Sequence, residues 1–186
     1  MKYLIFFILL ISIYLAASAN CENHHPPTAN RQPPTIIHQP PTANRQPPTD
    51  LNRSAFYKAM EETDKALVNS QLEELKSAPA DLKPAFMGAM MMKRASFIGN
   101  AVAKLHYFKE GHKMLEAAIK QDPENTEFHF LRLMIEEHAP GVLGYNKDIE
   151  KDCALIRKNY ASLPGGLQQT ITNYSKKSKF LKLDLS

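Results

Sequence analysis

The chain has 186 residues, a formal net charge of +4 and two cysteines. Two cysteines are too few for the disulfide framework that supports many small secreted domains. The positive charge is mild, and the lysines near the C-terminus have no aromatic residues between them on which bases could stack. We therefore expect no nucleic-acid partner.

The first 19 residues are typical of a secretory signal peptide, because one lysine is followed by a long apolar run that ends in small residues. The sequence ASA at 17–19 predicts a mature start at Asn20 and export to the periplasm, the outer membrane, the cell surface or the extracellular space. Cys21 leaves a second route open, since a lipid attached there would hold the protein on a membrane. The preceding SAN at 18–20 is a poor lipoprotein signal. An uncleaved anchor is the third alternative.

Residues 20–50 are dominated by heptapeptides that each begin with two prolines, PPTANRQ, PPTIIHQ, PPTANRQ and PPTDLNR, the last of which runs to Arg53. Paired prolines cannot join helix or sheet ladders and favour the extended polyproline II conformation. We therefore predict a disordered proline-rich linker, with a ligand for a proline-binding domain as the alternative. His24, His25 and His38 are too few and too mobile to predict a metal site there.

Residues 51–186 are predicted to form one helical domain. No segment keeps the alternation of a strand, whereas apolar residues recur three and four positions apart in one segment after another. This spacing predicts an all-α fold of about seven helices, arranged as antiparallel hairpins.

Local signals predict where the first three helices begin. Apolar residues at helical spacing predict a helix over 51–66. Ser70 and Glu73 match a capping box, which predicts that a second helix starts at this point. Asp81 is predicted to cap a third helix that has Pro84 in its first turn.

A hairpin at residues 104–138 is predicted to organise the domain. Its first helix should end before Pro123, and Asn125 or Thr126 should cap the second. The second helix, at 126–138, is apolar nearly all round, which is typical of a central helix.

Arg132 lies within that central helix, where a charge must be paired. We hypothesise that Arg132 is a structural polar residue, held by a carboxylate such as Glu116, Glu127 or Glu136.

Two helices are predicted after the hairpin. Asn146 or Asp148 should start the first, whose apolar stripe runs through positions 149, 153, 156 and 160. Cys153 lies on this stripe, so a buried and unreactive thiol is expected. The sequence LPGG at 163–166 should end this helix. The last helix should face inward with its apolar side and fray at its lysine-rich end.

Two patterns carry a resemblance to known proteins. The spacing of Gly111, Leu115, Ala118 and Pro123 resembles the second helix of a tetratricopeptide repeat, in which small residues let two helices approach closely. Residues 84–160 also resemble a family of exported helical proteins from Bacteroidota, chiefly flavobacteria, through FKEG at 108–111, LEAAI at 115–119, PEN at 123–125, FLRL at 130–133 and LGY at 143–145. The resemblance implies a tetratricopeptide-like fold and export, with no activity, cofactor or catalytic residue to carry over. This chain has His129 where the family has a second arginine.

The sequence contains no HExxH, GxSxG, phosphate-binding-loop or CxxCH motif. His106 and His112 are six positions apart, so they face different directions on a helix and do not form the i,i+4 pair that suits zinc. We therefore predict no catalytic residue, no cofactor and no metal.

These observations favour a protein-interaction or scaffolding module of the cell envelope, with a protein or peptide partner in the groove between helix pairs. Lys104, Tyr107, His112 and Lys113 are the candidates for the rim of that groove. The alternative is an envelope enzyme or small-ligand binder that uses histidine and glutamate residues of the hairpin. A third alternative is a structural spacer in a larger assembly. A membrane is expected only through a lipid anchor.

Overall fold

The structure is a computed structural model that describes residues 51–141 and 144–183. The predicted signal peptide at 1–19, the lipidation candidate Cys21 and the proline-rich linker at 20–50 lie outside the described residues. None of the helices in the described ranges is long and apolar enough to cross a membrane.

The described part of the chain is all-α, with seven α-helices and no strand, as the sequence predicts. The helices are α1 (Arg53–Glu61), α2 (Lys65–Glu74), α3 (Lys83–Ala95), α4 (Ala101–Gln121), α5 (Thr126–Glu136), α6 (Ile149–Asn159) and α7 (Gly165–Ser175). Short 3-10 turns follow α2 at Leu75–Ser77 and α6 at Tyr160–Ser162.

The N-terminal boundaries differ from the prediction. The expected helix over 51–66 is interrupted after Glu61, because Asp64 caps a new helix by accepting hydrogen bonds from the backbone N–H groups of Ala66 (2.7 Å) and Leu67 (3.3 Å). Ser70 therefore lies inside α2, and the predicted capping box there is wrong.

The start of α3 differs from the prediction in one respect. Leu82, not Asp81, occupies the cap position of α3, and no side chain caps that helix. Pro84 lies in the first turn, as predicted, where its missing N–H is tolerated.

The two helices predicted at 104–138 are present as α4 and α5, but the most extensive packing of α4 is with α3. Asn100 caps α4 by accepting from the N–H of Ala103 at 2.9 Å, so the helix begins three residues earlier than the predicted hairpin. It ends at Gln121, just before Pro123. Asn125 then caps α5 by accepting from the N–H of Phe128 at 3.3 Å.

α5 is the central helix of the described domain. Its apolar side chains Phe128, Phe130, Leu131, Leu133 and Met134 are all buried. The ring of Phe130 packs against Tyr57 of α1 at 5.6 Å and Tyr174 of α7 at 5.4 Å between centroids. Because α1 and α7 meet on one side of α5, this packing positions the groove described below.

A pair of glycines brings α3 and α4 together. A Cβ atom at Gly88 would lie 2.5 Å from the carbonyl oxygen of Gly111, and a Cβ at Gly111 would lie 2.5 Å from the carbonyl oxygen of Gly88. Only glycine permits this approach of two backbones. α3 and α4 accordingly share the most extensive contact between helices in the described domain.

The lysine-rich C-terminal segment is docked, so the expectation that it frays is wrong. Ser178 is 3% exposed and Leu181 is fully buried. Glu137 accepts hydrogen bonds from the hydroxyls of Tyr174 and Ser178, each at 2.7 Å, and from the backbone N–H of Lys179. Burial opposes ionisation of this carboxyl group, but the three donors outweigh it and lower the pKa of Glu137.

The boundary between α6 and α7 also differs from the prediction. α6 ends at Asn159 and continues as a 3-10 turn. Pro164 is the cap residue of α7 and Gly165 is its first residue, so the sequence LPGG begins the last helix and does not end the previous one.

Candidate functional site

Arg132 is the centre of a buried charged cluster between α4, α5 and α6. It is 4% exposed, and Asp152 of α6 is fully buried. The guanidinium donates to Asp152 through Nε (2.8 Å to Oδ2) and Nη2 (2.6 Å to Oδ1), which is the bidentate geometry of a strong ion pair. Nη1 donates to both carboxylate oxygens of Glu116 of α4, at 3.0 and 3.2 Å, and lies 3.6 Å from Asp148.

The three carboxylates that the sequence offered as partners of Arg132 have different roles. Glu116 forms an ion pair with Arg132. Glu127 instead accepts two hydrogen bonds from Nε of Arg53 (2.8 and 3.1 Å), one from its Nη2 and one from the hydroxyl of Tyr57. Glu136 makes no hydrogen bond through its buried Oε2 atom with any residue that the structure describes.

His129 joins the charged cluster through both of its ring nitrogens. Its Nδ1 atom lies 2.6 Å from Asp152 Oδ1 and 3.4 Å from Arg132 Nη2, and its Nε2 atom lies 2.9 Å from the backbone oxygen of Pro123. These contacts tie α5 both to α6 and to the turn that precedes α5.

Burial shapes the two remaining titratable groups of the cluster. It raises the pKa of Glu136 to about 7, since desolvation and the carboxylates of Asp152, Asp148 and Glu116 together outweigh the attraction of Arg132. Burial likewise lowers the pKa of His112, although the nearby Glu116 opposes this. The neutral imidazole is therefore the favoured form of His112.

Tyr145 orients His112. The centroids of the Tyr145 and His112 rings are 4.7 Å apart, and Tyr145 also packs against Phe108 at 5.0 Å. His112 Nε2 lies 3.8 Å from Glu116 Oε1, one helical turn away on α4. The ring therefore points toward the charged cluster.

The structure separates the four residues predicted to form an interaction rim. All of them lie on α4. His112 belongs to the charged cluster, whereas Lys113 is exposed, and Lys104 and Tyr107 are half-buried. None of the four lines the groove between α1, α5 and α7.

That groove is an open trough of about 730 Å³. Most of its accessible lining is apolar. Its lining residues are Arg53, Ser54, Tyr57, Lys58, Glu61, Asn125, Thr126, Glu127, Leu163, Pro164, Gly166, Leu167, Gln169, Thr170 and Asn173.

Two ion pairs lie at the wall of the groove. Arg53 bonds to Glu127, and Glu61 lies 3.0 Å from Lys177. Lys58 also lines the groove and belongs to neither pair. Burial and the bond to Glu127 raise the pKa of Tyr57 well above its usual value, so its hydroxyl stays protonated. The four charged lining residues, Arg53, Lys58, Glu61 and Glu127, bring two charges of each sign, so the lining has no net charge.

Cys153 is a buried free thiol, as predicted. Burial raises its pKa to about 11, so at neutral pH it carries almost no thiolate. This sulfur is a packing group of α6 and a poor nucleophile.

Asp152, the main partner of Arg132, was not among the partners predicted from the sequence. Asp152 is three positions after Ile149 and four before Ile156, so it lies on the buried face of α6. A carboxylate on an apolar stripe was the signal that could have identified it, since a buried acid requires a partner. The residues of the groove gave no such signal, because they come from α1, α5 and α7, which are distant in sequence.

Searches of protein-family models, of curated proteins and of solved structures give no match to this chain. The assignments that follow therefore depend on its own residues.

Proposed function

We propose that this chain is an exported protein of the cell envelope whose tetratricopeptide-like helical domain binds an extended segment of a partner protein. The observation that carries the proposal is the groove of about 730 Å³ between α1, α5 and α7. An open trough suits a chain segment, whereas a small substrate is usually enclosed on most sides.

The chemistry of the groove favours an uncharged segment. Leu163, Pro164 and Leu167 offer apolar contacts for side chains of a ligand. Amide and hydroxyl groups, on Asn125, Thr126, Gln169, Thr170 and Asn173, are suited to the N–H and C=O groups of an extended backbone. In such binding the main-chain hydrogen bonds contribute affinity and the side-chain contacts contribute specificity.

Selection of peptides from a random library against the full exported chain tests this proposal. We expect enriched peptides that lack charged residues and contain apolar ones. Thr170→Arg and Ser54→Arg place a long cationic side chain in the trough and should weaken binding of these peptides at least tenfold. Lys113→Ala on α4 should leave binding unchanged. Equal binding to the groove variants, or no enrichment, would overturn the proposal.

The proposal includes export and leaves three alternatives for it. Processing after residue 19 would release a soluble protein, lipidation of Cys21 would retain it on a membrane, and an uncleaved first segment would anchor it. Labelling cells with a radioactive fatty acid distinguishes lipidation from the other two, because only the lipidated protein incorporates label and Cys21→Ser would abolish it. The mass of the mature chain distinguishes cleavage from an uncleaved anchor.

A second candidate function is small-ligand binding by the histidine and glutamate residues of the hairpin. The observation that favours it is the unpaired Oε2 atom of Glu136 beside His112 and Glu116. Arg132 and His129 both bond to Asp152 there, so these three residues satisfy one another's polar groups and we propose no catalytic role for them.

A further inference from the structure

Glu136 is a buried carboxylate whose hydrogen bonding is incomplete. The residue is 4% exposed, and its Oε2 atom has no hydrogen-bond partner within residues 51–141 and 144–183. A buried acceptor without a donor is unfavourable, because it has lost its water and gained nothing in return. An ion bound at this atom would account for the incomplete bonding.

Two further ligand groups converge on Glu136. His112 and Glu116 lie one turn apart on α4 and so face the same side, while Glu136 reaches them from α5. One ligand atom from each of the three residues lies within 4.8 Å of the others. Ligand atoms around a tetrahedral ion are separated by about 3.4 Å. Side-chain rotations that bring the most widely separated of these atoms up to about 1.4 Å closer would give three ligands at that spacing.

The charge of the cluster is also unbalanced. Four acidic side chains, those of Glu116, Glu136, Asp148 and Asp152, lie around Arg132. The cluster therefore contains more acidic than basic groups, and a divalent cation would compensate the excess.

We propose that His112, Glu116 and Glu136 bind a divalent transition-metal cation. One imidazole and two carboxylates suit Zn²⁺ better than Mg²⁺ or Ca²⁺, which prefer oxygen ligands alone. The sequence predicted no metal, because the two histidines of α4, His106 and His112, are six positions apart. The third ligand of the proposed site, Glu136, comes instead from α5.

Neighbouring groups hold two of these ligands in place. Arg132 Nη1 donates to Glu116, and the Tyr145 ring packs against His112. Such supporting contacts orient metal ligands and increase affinity. The site shares no residue with the groove, so it stands independently of peptide binding.

Zinc titration of the metal-stripped full exported chain, purified without a histidine tag, tests the site. His24, His25 and His38 are replaced by alanine in every protein compared, since they could bind Zn²⁺ themselves. Calorimetry should show one Zn²⁺ per chain, and Co²⁺ should give visible absorption bands of a low-symmetry site. Glu136→Gln and His112→Ala should each weaken Zn²⁺ binding at least tenfold.

His106→Ala is the matched control, because His106 is an exposed histidine on the same helix. It should change the affinity less than twofold. Far-ultraviolet circular dichroism confirms that each variant retains its helices. The proposal is overturned if the chain shows no saturable Zn²⁺ binding, if Glu136→Gln and His112→Ala bind as tightly as the parent, or if His106→Ala weakens binding equally.

Discussion

Replacing Gly111 with alanine should destabilise the domain, although alanine is the better helix former. The added methyl group would lie 2.5 Å from the carbonyl oxygen of Gly88 and 3.0 Å from side-chain atoms of Met91 and Met92. The Met92 side chain can rotate away, but the carbonyl of Gly88 and the Cβ atom of Met91 are fixed to the backbone of α3. α3 and α4 must therefore separate by about 0.9 Å to reach an ordinary contact distance of about 3.4 Å.

The size of the effect follows from two opposing terms. Overpacking a close interface costs up to about 3 kcal/mol. Alanine in place of glycine recovers about 1 kcal/mol of helix propensity. We therefore expect Gly111→Ala to lower the free energy of unfolding by about 2 kcal/mol. For a domain of this size the melting midpoint should fall by about 8 °C.

Chemical denaturation followed by circular dichroism measures this change, and Gly166→Ala is its control. Gly166 is also helical, in α7, but a Cβ there would meet nothing within 4 Å. Alanine at that position should leave stability unchanged or raise it by up to about 1 kcal/mol. The reasoning is refuted if Gly111→Ala is as stable as the parent chain, since the two helices would then not depend on a glycine contact.

Three further predictions concern the buried polar groups. Arg132→Ala should lower the free energy of unfolding in denaturant by about 3–5 kcal/mol, since it leaves the Asp152 carboxylate buried without its guanidinium partner. Lys113→Ala is the control and should leave the melting midpoint unchanged. An unchanged melting midpoint for Arg132→Ala would contradict the pairing. The folded pKa of Glu137 lies below the unfolded value of about 4.3, so this group stabilises the fold above that pH and loses its contribution as the pH falls through the folded pKa. In Glu137→Gln the free energy of unfolding should therefore fall less steeply than in the parent below about pH 5. Backbone hydrogen exchange at 178–181 should be faster. The same dependence of unfolding free energy on pH in both proteins would contradict this role of Glu137. In a Cys21→Ser background, Cys153 should react with Ellman's reagent no faster than the protein unfolds, and rapid labelling of the native chain would disprove its burial.

The helix boundaries that the sequence predicted well depend on local chemistry. Asn125 caps α5 and Pro123 ends the preceding turn because both act on backbone groups within a few residues. The error at Ser70 has the same origin: Asp64 offered an equally local cap six residues earlier, and the helix started there. Competing local signals of similar strength are decided by packing, which the sequence pattern does not contain.

The charged cluster could be predicted only in part, since its partners come from different helices. The apolar neighbours of Arg132 indicated a buried charge, and Glu116 was among the partners considered. Asp152 is 20 positions further along, and only the folding of α6 against α5 brings it into contact. Docking of the segment at 176–183 was missed for the same reason, because Glu137, which holds it, lies about 40 positions earlier.

Site-specific photocrosslinking in cells tests the central proposal, binding of a partner segment in the groove, most directly. A photoreactive amino acid is placed at Ser54 or Thr170 in the groove and, in parallel, at Tyr107 or Lys113 on α4. If a partner segment binds in the groove, both groove positions should crosslink to the same partner, and the crosslink should lie in an uncharged stretch of that partner. Adducts only from the α4 positions, or none from the groove, would contradict it.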